Sequence, residues 1–186
     1  MSPLAIHITG ASGSGVSTLG RALAERTGAQ QLDTDDFYWS PIEPRYSVPR
    51  EIPERLRLIG EAMQRAKLQG WILSGSIGDW GAPLVPLFRL VVFVQTPTEV
   101  RLSRLRQRGI ERDGADEIGP GGARHAQYQE FLDWAAGYDS GKNSGRSLAR
   151  HEAWLAQLAC PVLRVDGTEA IASLTEQVLA AIKASR

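Results

Sequence analysis

The chain has 186 residues, 42% of them hydrophobic, and its 21 Lys and Arg residues balance 21 Asp and Glu residues. This length suits one domain with a full hydrophobic core, and the zero formal net charge argues against a nucleic acid or an anionic membrane as partner. The first apolar run, at residues 4–8, is too short for a membrane span or a secretion signal, and Cys160 is the only cysteine, so a disulfide framework is excluded. We therefore expect a single cytoplasmic domain over residues 1–186.

Segments that favour strands alternate with segments that favour helices along the chain. Short β-rich runs predict five strands, at residues 4–9, 30–33, 71–73, 89–95 and 161–165. The spacing of apolar residues predicts six helices, at residues 17–27, 54–69, 99–108, 125–136, 147–159 and 170–183. Segment 35–53, rich in proline and aromatic residues, is expected to be irregular, and 114–122 is a glycine-rich break. The alternation predicts a parallel sheet with helices on both faces, whose ligands bind beyond the carboxyl ends of the strands.

The most informative motif is the glycine-rich segment 10–18, GASGSGVST, which joins the first predicted strand to the first helix. Gly10, Gly15 and Ser17 occupy the glycine and hydroxyl positions of the phosphate-binding motif G-x-x-x-x-G-K-[ST], whereas Val16 occupies the lysine position. Such a loop offers backbone N–H groups to phosphate at a helix N-terminus, and its hydroxyl binds Mg²⁺. The residues expected to bind the nucleotide are Gly10, Ser12, Gly13, Ser14, Gly15, Val16, Ser17 and Thr18.

A second interpretation of the same residues is the dinucleotide-binding turn of short-chain dehydrogenases. Segment 8–15 resembles their T-G-x-x-x-G-x-G turn, and Asp33 lies where a ribose-binding acid would fall. Tyr138 and Lys142 also have the Y-x-x-x-K spacing of that family. However, the glycine spacing is one residue short, and too few residues follow Lys142 to complete that fold. NAD(P) binding is therefore a remote alternative.

Three carboxylates, Asp33, Asp35 and Asp36, directly follow the second predicted strand. Acids clustered at the end of a strand are unfavourable unless they hold a cation or accept a proton. Beside a phosphate loop, one acid would support Mg²⁺ and another would take the acceptor's proton. The alternative is an acidic helix cap. The aromatic residues 37–39 would line a substrate pocket or pack the irregular segment.

Arginines are concentrated on and after the helix predicted at residues 99–108. Arg101, Arg104 and Arg108 share one face of this helix, and Arg112 continues that face if the helix is longer. Taken alone, the pattern is also that of a solvated basic face paired with neighbouring glutamates.

Other polar residues are further candidates. Three that follow the third predicted strand are candidates for the acceptor site: Ser74, Ser76 and Asp79. Arginines on the acceptor side would suit a phosphorylated acceptor, or are solvated charge: Arg45, Arg50, Arg55 and Arg57. A basic group nearer the C-terminus is expected on the side of the arginine-rich helix, or is surface charge: Lys142, Arg146 and Arg150. His7 is expected in the core, and no spacing of histidines supports a zinc site.

The order of glycine loop, helix, LDTDDFYW segment and arginine-rich helix resembles the nucleoside-monophosphate-kinase group of P-loop kinases. It is similar to adenylate-kinase-related and to shikimate- or gluconate-kinase-like proteins. Asp33 and Asp35 match the D-x-D of the shikimate-kinase pattern. The missing loop lysine is similar to that of a set of proteins described loosely as adenylate kinases.

The resemblance implies an α/β fold of three layers, with a five-stranded parallel sheet in the order 2-3-1-4-5 and a helical lid at about residues 109–146. It implies that ATP is the phosphoryl donor and that Ser17 and Asp33 support Mg²⁺. It further implies that Asp35 contacts the acceptor. Three arginines would close over the γ-phosphate: Arg104, Arg108 and Arg112.

We therefore predict an ATP-dependent phosphotransferase that acts on a small molecule, namely a nucleoside, a nucleoside monophosphate or a sugar-like acceptor. The alternative is a nucleotide-binding module without turnover. Both bind nucleotide, but an enzyme needs a cation in place of the missing lysine, because a charge-assisted contact is roughly twice as strong as a neutral one. The candidates for that cation are Arg104, Arg108, Arg112, Lys142 and Arg146.

Overall fold

The strands of this protein lie side by side in one parallel sheet. A computed structural model describes residues 3–43, 46–142 and 145–184. Within these ranges the strands are β1 Ala5–Gly10, β2 Gln30–Asp33, β3 Trp71–Ser74, β4 Leu90–Gln95 and β5 Val162–Asp166. The sheet order is β2-β3-β1-β4-β5, which confirms the predicted P-loop kinase fold. Dinucleotide-binding folds have the order 3-2-1-4-5, so the dehydrogenase alternative is wrong.

Helices cover both faces of the sheet. In the described ranges they are α1 Val16–Thr27, α2 Thr34–Tyr38, α3 Ile52–Arg65, α4 Thr98–Asp113, α5 Ala115–Ile118, α6 His125–Ala136, α7 Leu148–Leu155 and α8 Ile171–Ala184, with a 3₁₀ segment at Asp79–Leu87. Helices α1 and α8 pack against one face, and α3 and α7 contribute to the core on the other. No helix in these ranges is long and apolar enough to cross a membrane.

The central strand, β1, is buried over its whole length. Because side chains alternate along a strand, Ile6 and Ile8 face the α1 and α8 layer. His7 lies between them in sequence and is fully buried; its ring stacks on Phe88, at 4.8 Å between centroids, on the other face. Both faces of the sheet therefore have their own hydrophobic core.

The carboxyl ends of three neighbouring strands meet at one edge of the sheet. Asp33 at the end of β2 pairs with Ser74 at the end of β3, and Ser74 in turn pairs with Ile8 near the end of β1. The glycine loop, the acidic segment and the residues after β3 all start from this edge, so the strand register brings the predicted motifs together.

Several predictions about local structure were wrong. Helix α5 forms inside the predicted break at 114–122, and α3 and α7 each end four residues before the predicted ends at residues 69 and 159. Segment 35–53 is not irregular throughout, because the Asp33 carboxylate accepts a hydrogen bond from the Asp35 N–H at 3.1 Å and caps the short helix α2. Helix α4 extends five residues beyond the predicted end at Arg108 and reaches Asp113. This extension places Arg112 on the same helix as Arg104 and Arg108. Arg45 lies outside the described residues.

Candidate functional site

The glycine loop turns tightly from β1 into α1. Gly13 and Gly15 have φ angles of 81° and 99°, which disfavour any residue with a side chain. A Cβ atom on Gly13 would also lie 2.6 Å from the carbonyl oxygen of Arg101, so glycine allows α4 to pack against the loop. Gly15 precedes α1 without a side-chain hydrogen bond that caps the helix. The first N–H groups of α1 therefore point towards the space beyond the strand ends, where they suit an anion.

Val16 anchors the loop and carries no charge. Its side chain is half-buried and packs against the core that contains Leu19 and Leu23 of α1. A lysine at this position would extend into the loop and reach a phosphate. In this chain the position contributes packing and no charge.

Ser17 and Asp33 form a pair of oxygen donors at the start of α1. The Ser17 hydroxyl donates to Asp33 Oδ2 at 2.6 Å. Hydroxyl and carboxylate oxygens are hard donors of the kind that Mg²⁺ prefers, and Mg²⁺ is usually held by one or two protein groups together with phosphates and water. The described residues contain no group of three or more His, Cys, Asp or Glu side chains placed so that they could hold a metal ion by themselves. The pair therefore fits a magnesium ion that shares its coordination with a nucleotide better than it fits an all-protein metal site.

Asp35 faces the same space from the first turn of α2. Desolvation in the cleft and the neighbouring Asp33 carboxylate raise the pKa of Asp35, while Arg146 and Arg108 oppose the rise. A raised pKa makes a carboxylate a better proton acceptor near neutral pH. The Asp35 carboxylate therefore lies in the cleft with a raised pKa.

These groups line a single cleft of about 710 Å³. The lining includes every predicted nucleotide-binding residue except Ser14, together with Asp33, Asp35 and the three predicted arginines of α4. Ser14 is buried, and its hydroxyl has no hydrogen-bond partner among the described residues. The other predicted residues named here therefore come together at the carboxyl edge of the sheet, while the Ser14 side chain is buried within the loop.

The three arginines of α4 occupy different parts of the cleft. Arg104 lies within 3.5 Å of the Ser14 carbonyl and donates to the Gly167 carbonyl at 2.9 Å. It therefore contacts the carbonyl side of the loop and not its N–H side. Arg112 is paired with Asp113 at 2.6 Å. Arg108 lines the cleft between them along the helix.

Arg101 shares the face of these arginines in sequence but not their surroundings. Its side chain is fully buried and donates to the carbonyls of Thr96 and Ala135 at 3.0 and 3.1 Å. It also pairs with Asp139 at 3.1 Å. Arg101 therefore joins α4 to the end of α6 and does not face a ligand.

We expect Arg101→Met to destabilise the protein by roughly 2–4 kcal/mol. The change leaves the buried Ala135 carbonyl and the partly buried Thr96 carbonyl without their donor, and an unsatisfied buried group costs about 1–3 kcal/mol. Equilibrium denaturation in urea measures this change. The matched control is Arg106→Met on the same helix, where the arginine is exposed and the change should be small. Equal stability of the two variants would contradict the structural role of Arg101.

Arg146 reaches the glycine loop from the segment before α7. It donates a hydrogen bond from Nη2 to the Ser12 hydroxyl, and its guanidinium lies over the Trp134 ring at 5.2 Å from the centroid. Its Nε is buried and has no hydrogen-bond partner in the described part of the chain. Arg146 is one of the candidates for the cation in place of the missing lysine, and in the structure it lies near both the loop and Asp35. Lys142 does not line the cleft.

The candidates on the acceptor side separate into structural and cleft-lining groups. Arg55 stacks on Tyr38 at 3.8 Å, and Arg57 pairs with Glu54 on the surface at 2.8 Å. Ser74 is fully buried. Ser76 and Trp39 line the cleft; Phe37 packs against the core.

The chain matches a known protein family and several solved structures. The family described as AAA domain matches residues 6–121. A protein of Bacillus subtilis (strain 168), named YqaC and described as uncharacterized, is 42% identical over 174 residues, which is 94% of each chain.

Solved structures similar to this chain are kinases by their descriptions. A sugar kinase from Janibacter sp. HTCC2649 is 18% identical, with a TM-score of 0.54 over 97% of this chain and 95% of that one. Deoxyadenosine kinase from M. mycoides, with bound dCTP, is 15% identical, with a TM-score of 0.55 over 97% of this chain and 100% of that one. A gluconokinase from Sinorhizobium meliloti 1021 is 18% identical, with a TM-score of 0.51 over 96% and 90%. At such identities the likeness concerns the fold.

Proposed function

We propose that this chain, which belongs to the AAA domain family, is an ATP-dependent phosphotransferase that acts on a small-molecule acceptor. The observation that carries the proposal is the pair formed by Ser17 Oγ and Asp33 Oδ2, 2.6 Å apart at the glycine loop, with Asp35 in the same cleft. A hydroxyl, an acid and a second acid beside a phosphate loop are among the groups that recur in phosphoryl-transfer sites.

The nucleotide would bind with its phosphates on the N–H groups of the loop. Ser17 and Asp33 would hold Mg²⁺, which when bound neutralises charge on the β- and γ-phosphates. Arg146 would supply the positive charge that Val16 lacks, because it is anchored to the loop through Ser12. Its unpartnered Nε is a donor that suits an anionic or hydroxylated ligand.

Asp35 would orient the acceptor hydroxyl and take its proton. As the acceptor oxygen forms a bond to the γ-phosphorus, the bond from that phosphorus to the bridging β–γ oxygen breaks. The products are ADP and the phosphorylated acceptor, and the proton is on the Asp35 carboxylate until solvent removes it. Arg108 and Arg112 would stabilise the charge on the transferring group from the cleft wall.

We also propose that the chain is a single domain in which residues 109–146 form a lid. Helix α6 packs with α4 in a small hydrophobic cluster built around Leu102, Leu105 and Leu132. This cluster is separate from the two cores of the sheet. The lid would therefore pack on α4 and not directly on the sheet.

The second candidate function is nucleotide binding without turnover, which the apolar role of Val16 favours. Isothermal titration with Mg·ATP, followed by incubation with ATP and pooled nucleosides, nucleoside monophosphates, sugars and sugar acids, separates the two. Binding with transfer to one pool supports the enzyme, and binding without transfer supports the module. A folded protein, judged by circular dichroism, that gives no heat of binding would overturn both.

A further inference from the structure

Two buried polar residues that the proposed reaction does not use, Tyr138 and His151, lie on either side of Arg146 along the chain. Tyr138 comes just after the end of α6, and His151 belongs to the first half of α7. Both side chains are buried, and a hydrogen bond joins the Tyr138 hydroxyl to His151 Nδ1 at 2.6 Å. This bond holds together the two ends of the segment that carries Arg146.

The backbone makes a second closure close to Arg146. The N–H of Leu148 donates to the Tyr138 carbonyl at 3.0 Å, and the Ser147 side chain accepts a backbone hydrogen bond and caps α7. Arg146 directly precedes this cap residue. Its backbone is therefore fixed by the same turn that Tyr138 and His151 hold.

The pair is attached to the rest of the molecule on both sides. The His151 ring lies edge-on to Phe93 of β4, at 5.6 Å between centroids. The Tyr138 ring lies 5.2 Å from the guanidinium of Arg101, which is fully buried on α4. The pair therefore links the start of α7 to the sheet and to α4.

Both members of the pair are uncharged at pH 7. Burial lowers the pKa of His151 to about 4, and the Arg146 charge contributes to the decrease. Burial also raises the pKa of Tyr138. A neutral pair does not repel Arg146, and a satisfied buried hydrogen bond selects one arrangement of the groups around it.

Arg146 is the group whose placement depends on this turn. Its guanidinium reaches the Ser12 hydroxyl and lies over the Trp134 ring. These contacts fix the far end of a long side chain that loses much rotamer freedom when it is held in one direction. The near end has to be fixed through the backbone, and supporting residues of this kind determine how precisely a functional group is placed.

We propose that Tyr138 and His151 are positioning residues, whose hydrogen bond holds the start of α7 so that Arg146 meets the glycine loop and the phosphates of a nucleotide. The inference rests on the proposed role of Arg146 in nucleotide binding and transfer. Neither Tyr138 nor His151 touches the nucleotide in this proposal. Their effect on binding and on transfer passes through Arg146.

The first test removes the hydrogen bond and keeps the packing. Tyr138→Phe keeps the ring beside Arg101 and should lower kcat about tenfold, within the roughly 10²-fold that a displacement of about 1 Å can cost. The affinity for Mg·ATP, measured by titration calorimetry, should weaken less than in Arg146→Met. His151→Leu should have the same effects as Tyr138→Phe. His151→Asn should retain most of kcat, because its amide replaces Nδ1 with a group that can donate or accept.

The discriminating measurement repeats Tyr138→Phe in the Arg146→Met background. Without Arg146, the loss of the hydroxyl should change neither kcat nor the affinity for Mg·ATP by more than about twofold, because effects that pass through one group are not additive. Tyr128→Phe is the matched control, since the Tyr128 hydroxyl donates to the Leu105 carbonyl at 2.9 Å. Any loss that it causes should be equal in the two backgrounds.

The outcomes separate this inference from the proposed function. An effect of Tyr138→Phe on Mg·ATP affinity that disappears without Arg146 supports the positioning role even if no acceptor is phosphorylated, and only the phosphotransferase proposal then fails. Equal losses with and without Arg146 would show that the pair supports the fold alone, and they would overturn the inference and leave the enzyme. Unchanged kcat and affinity in Tyr138→Phe would overturn it as well. If Tyr138→Phe does not fold, judged by circular dichroism, His151→Leu replaces it in both backgrounds.

Discussion

Replacement of Asp35 by asparagine should lower the rate of phosphoryl transfer by about 10²–10⁴-fold, the usual contribution of a general base. The amide has the shape of the carboxylate but does not take up the acceptor's proton. Helix α2 should remain intact, because its cap is the Asp33 side chain and the bond uses the backbone N–H of residue 35. The affinity for Mg·ATP, measured by titration calorimetry, should therefore change little.

The pH profile of kcat distinguishes a base from a residue that only supports the fold. Desolvation and Asp33 raise the pKa of Asp35, so the rate should fall on the acid side at a higher pH than an ordinary aspartate would give. The sign follows from the carboxylate being the active form, since it is protonated as the pH falls through the raised pKa. Asp35→Asn should remove this acid limb altogether.

Asp36→Asn is the matched control, because Asp36 follows Asp35 on the same helix and does not line the cleft. We expect transfer close to that of the unmodified protein. A loss in Asp36→Asn as large as that in Asp35→Asn would show that the charge of the whole segment matters, and the assignment of Asp35 as the base would be wrong.

Local patterns were enough to predict the sheet and the loop. Strands β1 and β4 are short apolar runs buried on both faces, and the glycine loop fixes which strand precedes which helix. The register that brings Asp33 level with Ser74 follows from parallel pairing. Motifs that begin at strand ends were therefore predictable as neighbours.

Tertiary contacts decided what the patterns missed. Helix α4 continues through Gly109, although glycine often marks the end of a helix. A Cβ atom at position 109 would lie 2.3 Å from the Tyr128 hydroxyl, so the need for space explains the glycine. Glycine at this position permits close packing with α6 and does not end the helix. Helix α2 has five residues and is too short for helical periodicity to reveal it.

The same limit applies to the site. Helical spacing placed Arg101 beside Arg104, but the carbonyl of Ala135, 34 residues away, determines that Arg101 is buried. His7 was expected in the core and is fully buried there, but the pattern does not reveal the hydrogen bond of its Nδ1 to the Leu73 carbonyl, 66 residues away. Contacts between distant parts of the chain decide both.

Removal of the Arg146 charge should lower transfer by about 10²–10³-fold, the typical cost of losing one group that stabilises the transition state. The variant Arg146→Met keeps much of the length of the side chain and its contact with the Trp134 ring, which lies 5.2 Å from the guanidinium. Affinity for Mg·ATP should also weaken, because a charge-assisted contact is lost. The rates of Arg146→Met and of the unmodified protein are best compared at a pH well above the acid limb. Arg146 lowers the pKa of Asp35, so its loss should move that limb to higher pH.

Lys142→Met is the matched control, because Lys142 is exposed, precedes Arg146 by four positions and does not line the cleft. It should leave transfer and nucleotide affinity unchanged. Denaturation curves for both variants show whether any loss of activity comes from unfolding. A loss in Lys142→Met equal to that in Arg146→Met would indicate a diffuse electrostatic effect of this segment.

The decisive variant returns a lysine to the loop. If Arg146 supplies the charge that position 16 lacks, Val16→Lys should raise the rate of transfer at least about tenfold in the Arg146→Met background. The same change should add little when Arg146 is present, because the effects of groups that share one role are not additive. An equal effect of Val16→Lys in both backgrounds would mean that the two positions act independently. In that case another cation of the cleft, such as Arg108, which lines it with Arg146, neutralises the phosphates.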